Sequence, residues 1–158
     1  MTDVLRNHWP EYLIEGVSLG LFMISAFTFA TLLEHPASPV HRALPHTLLR
    51  RFLMGLAMGN TAIAIIYSPW GKRSGAHINP STTLTFFRLG KINKWDAMFY
   101  VASQFAGGLI GAFRAAVALS AWASHPAVNY VVTMPRNDGA LAALIAEITI
   151  AFILMPLC

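Results

Sequence analysis

The sequence predicts an all-α membrane protein, and three observations lead there. Of its 158 residues, 56% are hydrophobic and 11% are charged, against roughly 45 to 50% and about 25% in soluble domains. The mean hydropathy is +0.55, and the apolar residues gather into runs about as long as a membrane crossing. One further apolar stretch, between the second and third of these runs, is only about half that length.

The first run, residues 11–33, reads EYLIEGVSLGLFMISAFTFATLL. A helix needs about 20 residues to cross the roughly 30 Å hydrocarbon core, so this run suffices. It is longer than a signal-peptide core and is followed by no A-x-A-like cleavage site with a soluble domain behind it, so it reads as a retained span. It carries one carboxylate, Glu15. Three prolines between Glu34 and Pro45 suit an irregular connection outside the bilayer. The second span is expected over 47–67, the third over 95–121 and the fourth over 139–157, with Pro156 awkward at its end.

Residues 78–89 are apolar enough to enter the membrane but too short to cross it. They read as a re-entrant half-helix, because irregular backbone at membrane depth survives only where protein or water satisfies it. Lys72, Arg73, Arg88, Lys91 and Lys94 flank this segment and Arg6 lies near the N-terminus, six cations against Arg42, Arg50, Arg51 and Arg136 on the other connections. That asymmetry places the N-terminus and the half-helix loop on the cytoplasmic side.

The formal net charge of +4 is scattered around the spans and forms no stripe interleaved with aromatics, which argues against a nucleic-acid partner. The single cysteine, Cys158, excludes an internal disulfide. The partners implied are the lipid bilayer and whatever the spans conduct, and no cofactor is called for.

The chemistry concentrates in Ser74-Gly75-Ala76-His77-Ile78-Asn79-Pro80-Ser81. Pro80 suits a first helical position, since its φ is already helical and its missing N–H would be unpaired there. Asn79 before it is a strong N-cap residue. A short helix from Asn79 to about Gly90, buried partway, would aim its positive end at the membrane midplane, repelling cations and favouring the oxygen of a neutral solute. Gly75 and Ala76 leave room for the backbone of 75–78 to turn its carbonyls toward a pore.

SGAHINPS resembles the first Asn-Pro-Ala box of the aquaporin and glycerol-facilitator family, with Ser81 in place of the usual Ala. The resemblance implies that the Asn79 amide donates a hydrogen bond to a passing solute, in pores selective by diameter, lining donors and electrostatic barriers. Glu15 in LIEGVSLGLF and Glu147 in IAEITIAFIL fall at equivalent places in two similar helices, as at the starts of two repeats. Gln104 in YVASQFAGG matches the family's third-span glutamine. Gly16 and Gly20, Gly55 and Gly59, and Gly107 and Gly111 give each of the first three spans a pair of small residues one turn apart, permitting close helix approach. Met58 is the nearest match to the family's second-span filter position. Gly59 competes with it, because the SPWGKRSGAH loop is one residue longer than the common form.

The resemblance covers residues 11–154 and implies an aquaporin-like bundle: a first inverted repeat of three spans plus a half-helix, and the start of a second. The second box and the pore arginine after it are absent, and Pro156-Leu157-Cys158 reads unlike the continuation of a span, so a fragment or a frameshifted reading is expected. The same resemblance implies a homo-oligomer, the homotetramer of full-length relatives in which every protomer has its own pore.

Two roles remain open for several of these residues. Glu15 and Glu147 are either proton-relay or metal-binding groups, as intramembrane carboxylates often are, or acceptors for the exposed N–H groups of a half-helix loop. His77 is either a ligand or proton shuttle, or a residue that orients the loop carbonyls; having no histidine three or four positions away argues against a metal site. Gln104 either touches solute or braces the loop, and Arg114 is expected to snorkel to the interface. The functions to be separated are a passive channel for water or small neutral solutes such as glycerol, in a bacterial inner or other plasma membrane, and a non-conducting subunit that only associates with other channel chains. An intramembrane enzyme using Glu15, His77 and Glu147 lacks any nucleophile motif or phosphate loop.

Overall fold

A computed structural model of the chain describes residues 2–132, 134 and 139–154. In chain order the elements are α1 (Thr2–Glu34), α2 (Pro39–Ala43), α3 (Thr47–Tyr67), α4 (Pro69–Ser74), α5 (Pro80–Arg88), α6 (Lys94–Leu119), α7 (Ala121–Ser124), a 3-10 turn (Asn129–Val131) and α8 (Ala140–Leu154). Three helical stretches, Val4–Glu34, Thr47–Tyr67 and Lys94–Leu119, are long and apolar enough to cross a membrane. The end of the expected fourth span, together with Arg136 and the Pro156-Leu157-Cys158 tail, lies outside the described residues.

The fold is organised on the seam between α1 and α6. Gly16 and Gly20 on α1 face Ser103, Gly107 and Gly111 on α6 so closely that a Cβ on Gly16 would stand 2.7 Å from the Ser103 carbonyl oxygen. A Cβ on Gly107 would overlap the Gly16 carbonyl, and one on Gly111 the Gly20 carbonyl. Small residues matter here because lipid tails are as apolar as leucine, so helices associate through close packing of backbones. Farther along the seam Phe27, Ala115 and Ala123 are buried together with Met23, Ala112 and Leu119 around them.

The Gly55–Gly59 pair behaves differently from the sequence expectation. A Cβ on Gly55 or Gly59 would meet nothing within 4 Å, so α3 does not use these glycines for close approach within the described chain. α3 is tied to α1 instead by polar contacts. The Ser25 and Thr61 hydroxyls lie 2.7 Å apart, and the buried Arg50 guanidinium reaches Glu34 at 3.2 Å and the carbonyls of Leu44 and Pro45.

α1 starts well before residue 11 and runs through Pro10. The extra turns are held by side chains the expectation left out. His8 Nδ1 lies 2.8 Å from Asp96 at the start of α6, and the Tyr12 hydroxyl donates to the same carboxylate. Arg73 bonds Glu11 at 2.9 Å.

The Glu34–Pro45 connection, expected to be irregular, contains the short helix α2, with Pro39 opening it, and the loop after α3 contains the short helix α4. The Ser68 hydroxyl accepts the Gly71 N–H at 2.9 Å as its N-cap, Pro69 occupies the first turn, and Gly75 ends it at φ 89°, a left-handed conformation that glycine adopts without steric cost. α6 is capped by Asn93, whose side-chain oxygen accepts from the N–H groups of Trp95 and Asp96 at 3.0 Å each. It stops at Ser120, where φ is 44°.

Candidate functional site

Between α4 and α5 the chain turns through Gly75, Ala76, His77 and Ile78, and this turn is strained. Ala76 has φ 46° and Ile78 has φ 53°. For a β-branched residue such as Ile78 that is a true outlier, one that persists only where the surroundings over-determine it.

Glu15 supplies much of that determination. Its carboxylate is fully buried, and it accepts the backbone N–H of His77 at 3.0 Å and of Ile78 at 2.8 Å. It also accepts the Ser74 hydroxyl at 2.7 Å and the Gln104 side-chain amide at 2.8 Å. A carboxylate offers about four lone-pair sites, so this buried group is saturated by partners from α4, the turn and α6.

A second layer locks the same turn. Gln104, also fully buried, meets the buried Thr83 hydroxyl of α5 at 3.1 Å. His77 Nδ1 lies 3.0 Å from that hydroxyl. The His77 ring stacks on Phe86 at a centroid distance of 4.8 Å and meets the edge of Tyr100 at 5.1 Å. The Tyr100 hydroxyl donates to the Ser74 carbonyl at 2.7 Å.

The His77 ring is engaged with Thr83 and two aromatic rings, contacts that join the turn to the half-helix.

The helix that follows opens as its residue types dictate. Asn79 is the N-cap, its Oδ1 accepting the Ser81 N–H at 2.9 Å, with Pro80 in the first turn. Because Oδ1 is used internally, the Nδ2 group is left to donate elsewhere, and Asn79 is exposed. The N–H groups of His77 and Ile78 are taken by Glu15, whereas among the described residues no donor reaches the carbonyl oxygens of residues 75–78. The turn thus keeps its donors inward and its acceptors unused.

Other sequence candidates lie apart from this cluster. Met58 is half-buried and Gly59 exposed on α3, Arg114 is exposed on α6, and Glu147 is exposed on α8. Among the described residues no group of three or more His, Cys, Asp or Glu side chains is arranged to hold a metal ion. Sequence reasoning placed Ser74 in the motif without a role of its own and missed Thr83 and Tyr100. Tyr100 lies one helical turn before Gln104, and Thr83 one turn after Asn79, so helix periodicity was the signal available for both.

A family model, the major intrinsic protein family, matches residues 6–158. The chain belongs to the major intrinsic protein family. Among curated relatives of this family member, aquaporin-5 of Rattus norvegicus is 41% identical over 70 residues, 44% of this chain and 24% of that one. Putative aquaporin NIP4-1 of Arabidopsis thaliana is 35% identical over 97 residues, 61% of this chain and 32% of that one. Probable aquaporin AqpM of Archaeoglobus fulgidus is 34% identical over 89 residues, 50% of this chain and 36% of that one. The chain therefore spans between about a quarter and a little over a third of the length of the curated relatives it matches. No solved structure matches significantly. Family membership and the three long apolar helices establish an all-α, aquaporin-like integral membrane protein.

Proposed function

We propose that this chain is the first repeat of a passive channel for water or small neutral solutes such as glycerol, with the 75–79 turn as its solute path. The observation that carries the reading is the division of labour around Glu15. By taking the turn's N–H groups inward, the carboxylate leaves the carbonyls of residues 75–78 as a file of acceptors, ending at the Asn79 amide as donor. A neutral solute can exchange hydrogen bonds along such a file without losing its hydration all at once.

The N-terminal end of α5 lies at the same point. Its partial positive charge opposes cations while favouring a solute oxygen. Gly75, Ala76, His77, Ile78 and Asn79 are the solute-facing positions on this reading, and Met58 or Gly59 contributes from α3. Glu15, Gln104, Pro80 and Ser81 brace the turn, with no covalent chemistry, and Glu147 has the bracing role in a second repeat. The span assignments 11–33, 47–67, 95–121 and 139–157, the homotetrameric assembly and a plasma or bacterial inner membrane location belong to the same proposal.

The second reading is a subunit that associates with other channel chains without conducting; it is set against the first because one half-helix, α5, is present among the described residues. Stopped-flow light scattering on proteoliposomes separates the two, comparing this chain, Asn79→Asp and empty vesicles for osmotic water and glycerol flux. Flux above empty vesicles that falls in Asn79→Asp is the outcome expected of the channel. A folded, inserted chain with no flux supports the non-conducting subunit.

A further inference from the structure

At the end of α1 remote from α4, three aromatic rings meet. The buried His35 stacks on Trp122 of α7 at a centroid distance of 4.3 Å with 20° between the ring planes, and it meets His125 edge-on at 4.7 Å. Two backbone amides define what these histidines are. His35 Nδ1 lies 3.1 Å from the Ala37 N–H, and His125 Nδ1 lies 3.1 Å from the Ala127 N–H. An N–H can only donate, so both Nδ1 atoms accept, and the His35 ring so engaged is neutral with its proton on Nε2.

Adding a proton to His35 Nδ1 sets two donors against each other at 3.1 Å. It also places a cation in a buried position beside His125.

The charges facing His35 give little relief. His41 of α2 uses Nδ1 toward the Leu33 carbonyl at 2.9 Å, which fixes it as a donor. Arg42 is directed to the Pro36 carbonyl. Glu34, the nearest carboxylate in sequence, is engaged by Arg50 of α3. Burial first, then the neighbouring His125 and His41, hold the His35 imidazole below its ordinary value.

The segment these rings hold is itself strained. Ser120, Tyr130 and Val131 have φ of 44°, 50° and 60°, a region such side chains avoid unless their surroundings impose it. Val128 and Ala123 of the same segment are buried, the latter against Phe27 and Ala115 on the α1–α6 seam.

We propose that residues 120–131 form an acid-released clamp, closed over the end of α1 by neutral His35 between Trp122 and His125 and opened when His35 takes up a proton. A histidine of depressed value stabilises the closed arrangement above its open-state value, about 6.5, and that contribution is lost as pH falls through the closed-state value. The clamp does not depend on whether the chain conducts, and its readout is local opening.

Hydrogen exchange by mass spectrometry on the full chain in nanodiscs, at steps between about pH 7.5 and about pH 5 with the intrinsic rate divided out, measures that opening in peptides covering 120–131. Exchange is expected to accelerate by up to about tenfold per pH unit for one proton taken up on opening. Peptides from the α1–α6 seam should stay unchanged. In His35→Phe, which keeps a ring against Trp122 but has no proton to gain, the acceleration should vanish. Should that variant fail to fold, 15N-imidazole titration of the unmodified chain decides the matter, with His35 titrating below the ordinary value and in step with the exchange change. An exchange profile flat across the range, acceleration that survives in His35→Phe, or a His35 that titrates at the ordinary value would overturn the clamp.

Discussion

Glu15 and Glu147 sit in similar apolar helical contexts, LIEGVSLGLF and IAEITIAFIL, yet their surroundings differ completely. Glu15 is fully buried and accepts four hydrogen bonds from the Ser74–Ile78 turn and Gln104. Glu147 is exposed on α8, and no hydrogen bond to it is formed among the described residues. Among the described residues, the same residue in the same local pattern is a structural keystone in one place and has no hydrogen-bond partner in the other. What separates them is a turn about sixty residues downstream that offers Glu15 two backbone N–H groups. The role therefore lives at the level of packing rather than in the helix that carries the side chain.

The sharpest way to break the comparison is to remove both carboxylates in turn. Glu15→Ala strands two buried N–H groups, an amide and a hydroxyl, each costing about 1–3 kcal/mol when left unpaired, so a loss above about 4 kcal/mol and a chain that fails to melt cooperatively are expected. Glu147→Ala should stay within about 0.5 kcal/mol, as for exposed sites without special contacts. Thermal melts in matched detergent check both. Equal losses would dissolve the distinction.

A smaller effect sharpens the same point with glycines. Gly107→Ala pushes a methyl group into the Gly16 carbonyl and should cost about 1–3 kcal/mol through overpacking. Gly59→Ala meets open space and should stabilise α3 by up to about 1 kcal/mol through helix propensity. Opposite signs in the melting temperature are the expected result, although both glycines belong to the same kind of spaced pair.

How far this was legible in the sequence follows from the range of the interactions. Asn79-Pro80 marks a helix start by local stereochemistry alone, and α5 begins there. α3 spans the same residues as the second apolar run, 47–67, because hydropathy is summed along the chain. The early start of α1 was not legible, since it depends on His8 and Tyr12 meeting Asp96 more than eighty residues away. The idle glycines of α3 look like those of α1 and α6, because spacing does not say whether a partner helix is present. Thr83 and Tyr100, and the part Ser74 plays, are not legible because each acts only through a neighbour brought in by the fold, whereas Glu15 and Gln104 stand out in any apolar run. The strained φ of Ile78 is hidden for the same reason, since an isoleucine in sequence gives no sign of a left-handed backbone.

The central claim is that Glu15 holds the turn by its N–H groups, and amide exchange at His77 and Ile78 tests it most directly. Measured by NMR on the full chain in nanodiscs, both amides should exchange slowly in the unmodified protein and in Glu147→Gln. In Glu15→Gln, where the charge-assisted bonds of about 1.5–3 kcal/mol are weakened, they should exchange at least about tenfold faster. If His77 and Ile78 already exchange freely in the unmodified protein, or if Glu147→Gln releases them as much as Glu15→Gln does, Glu15 is not what holds the turn.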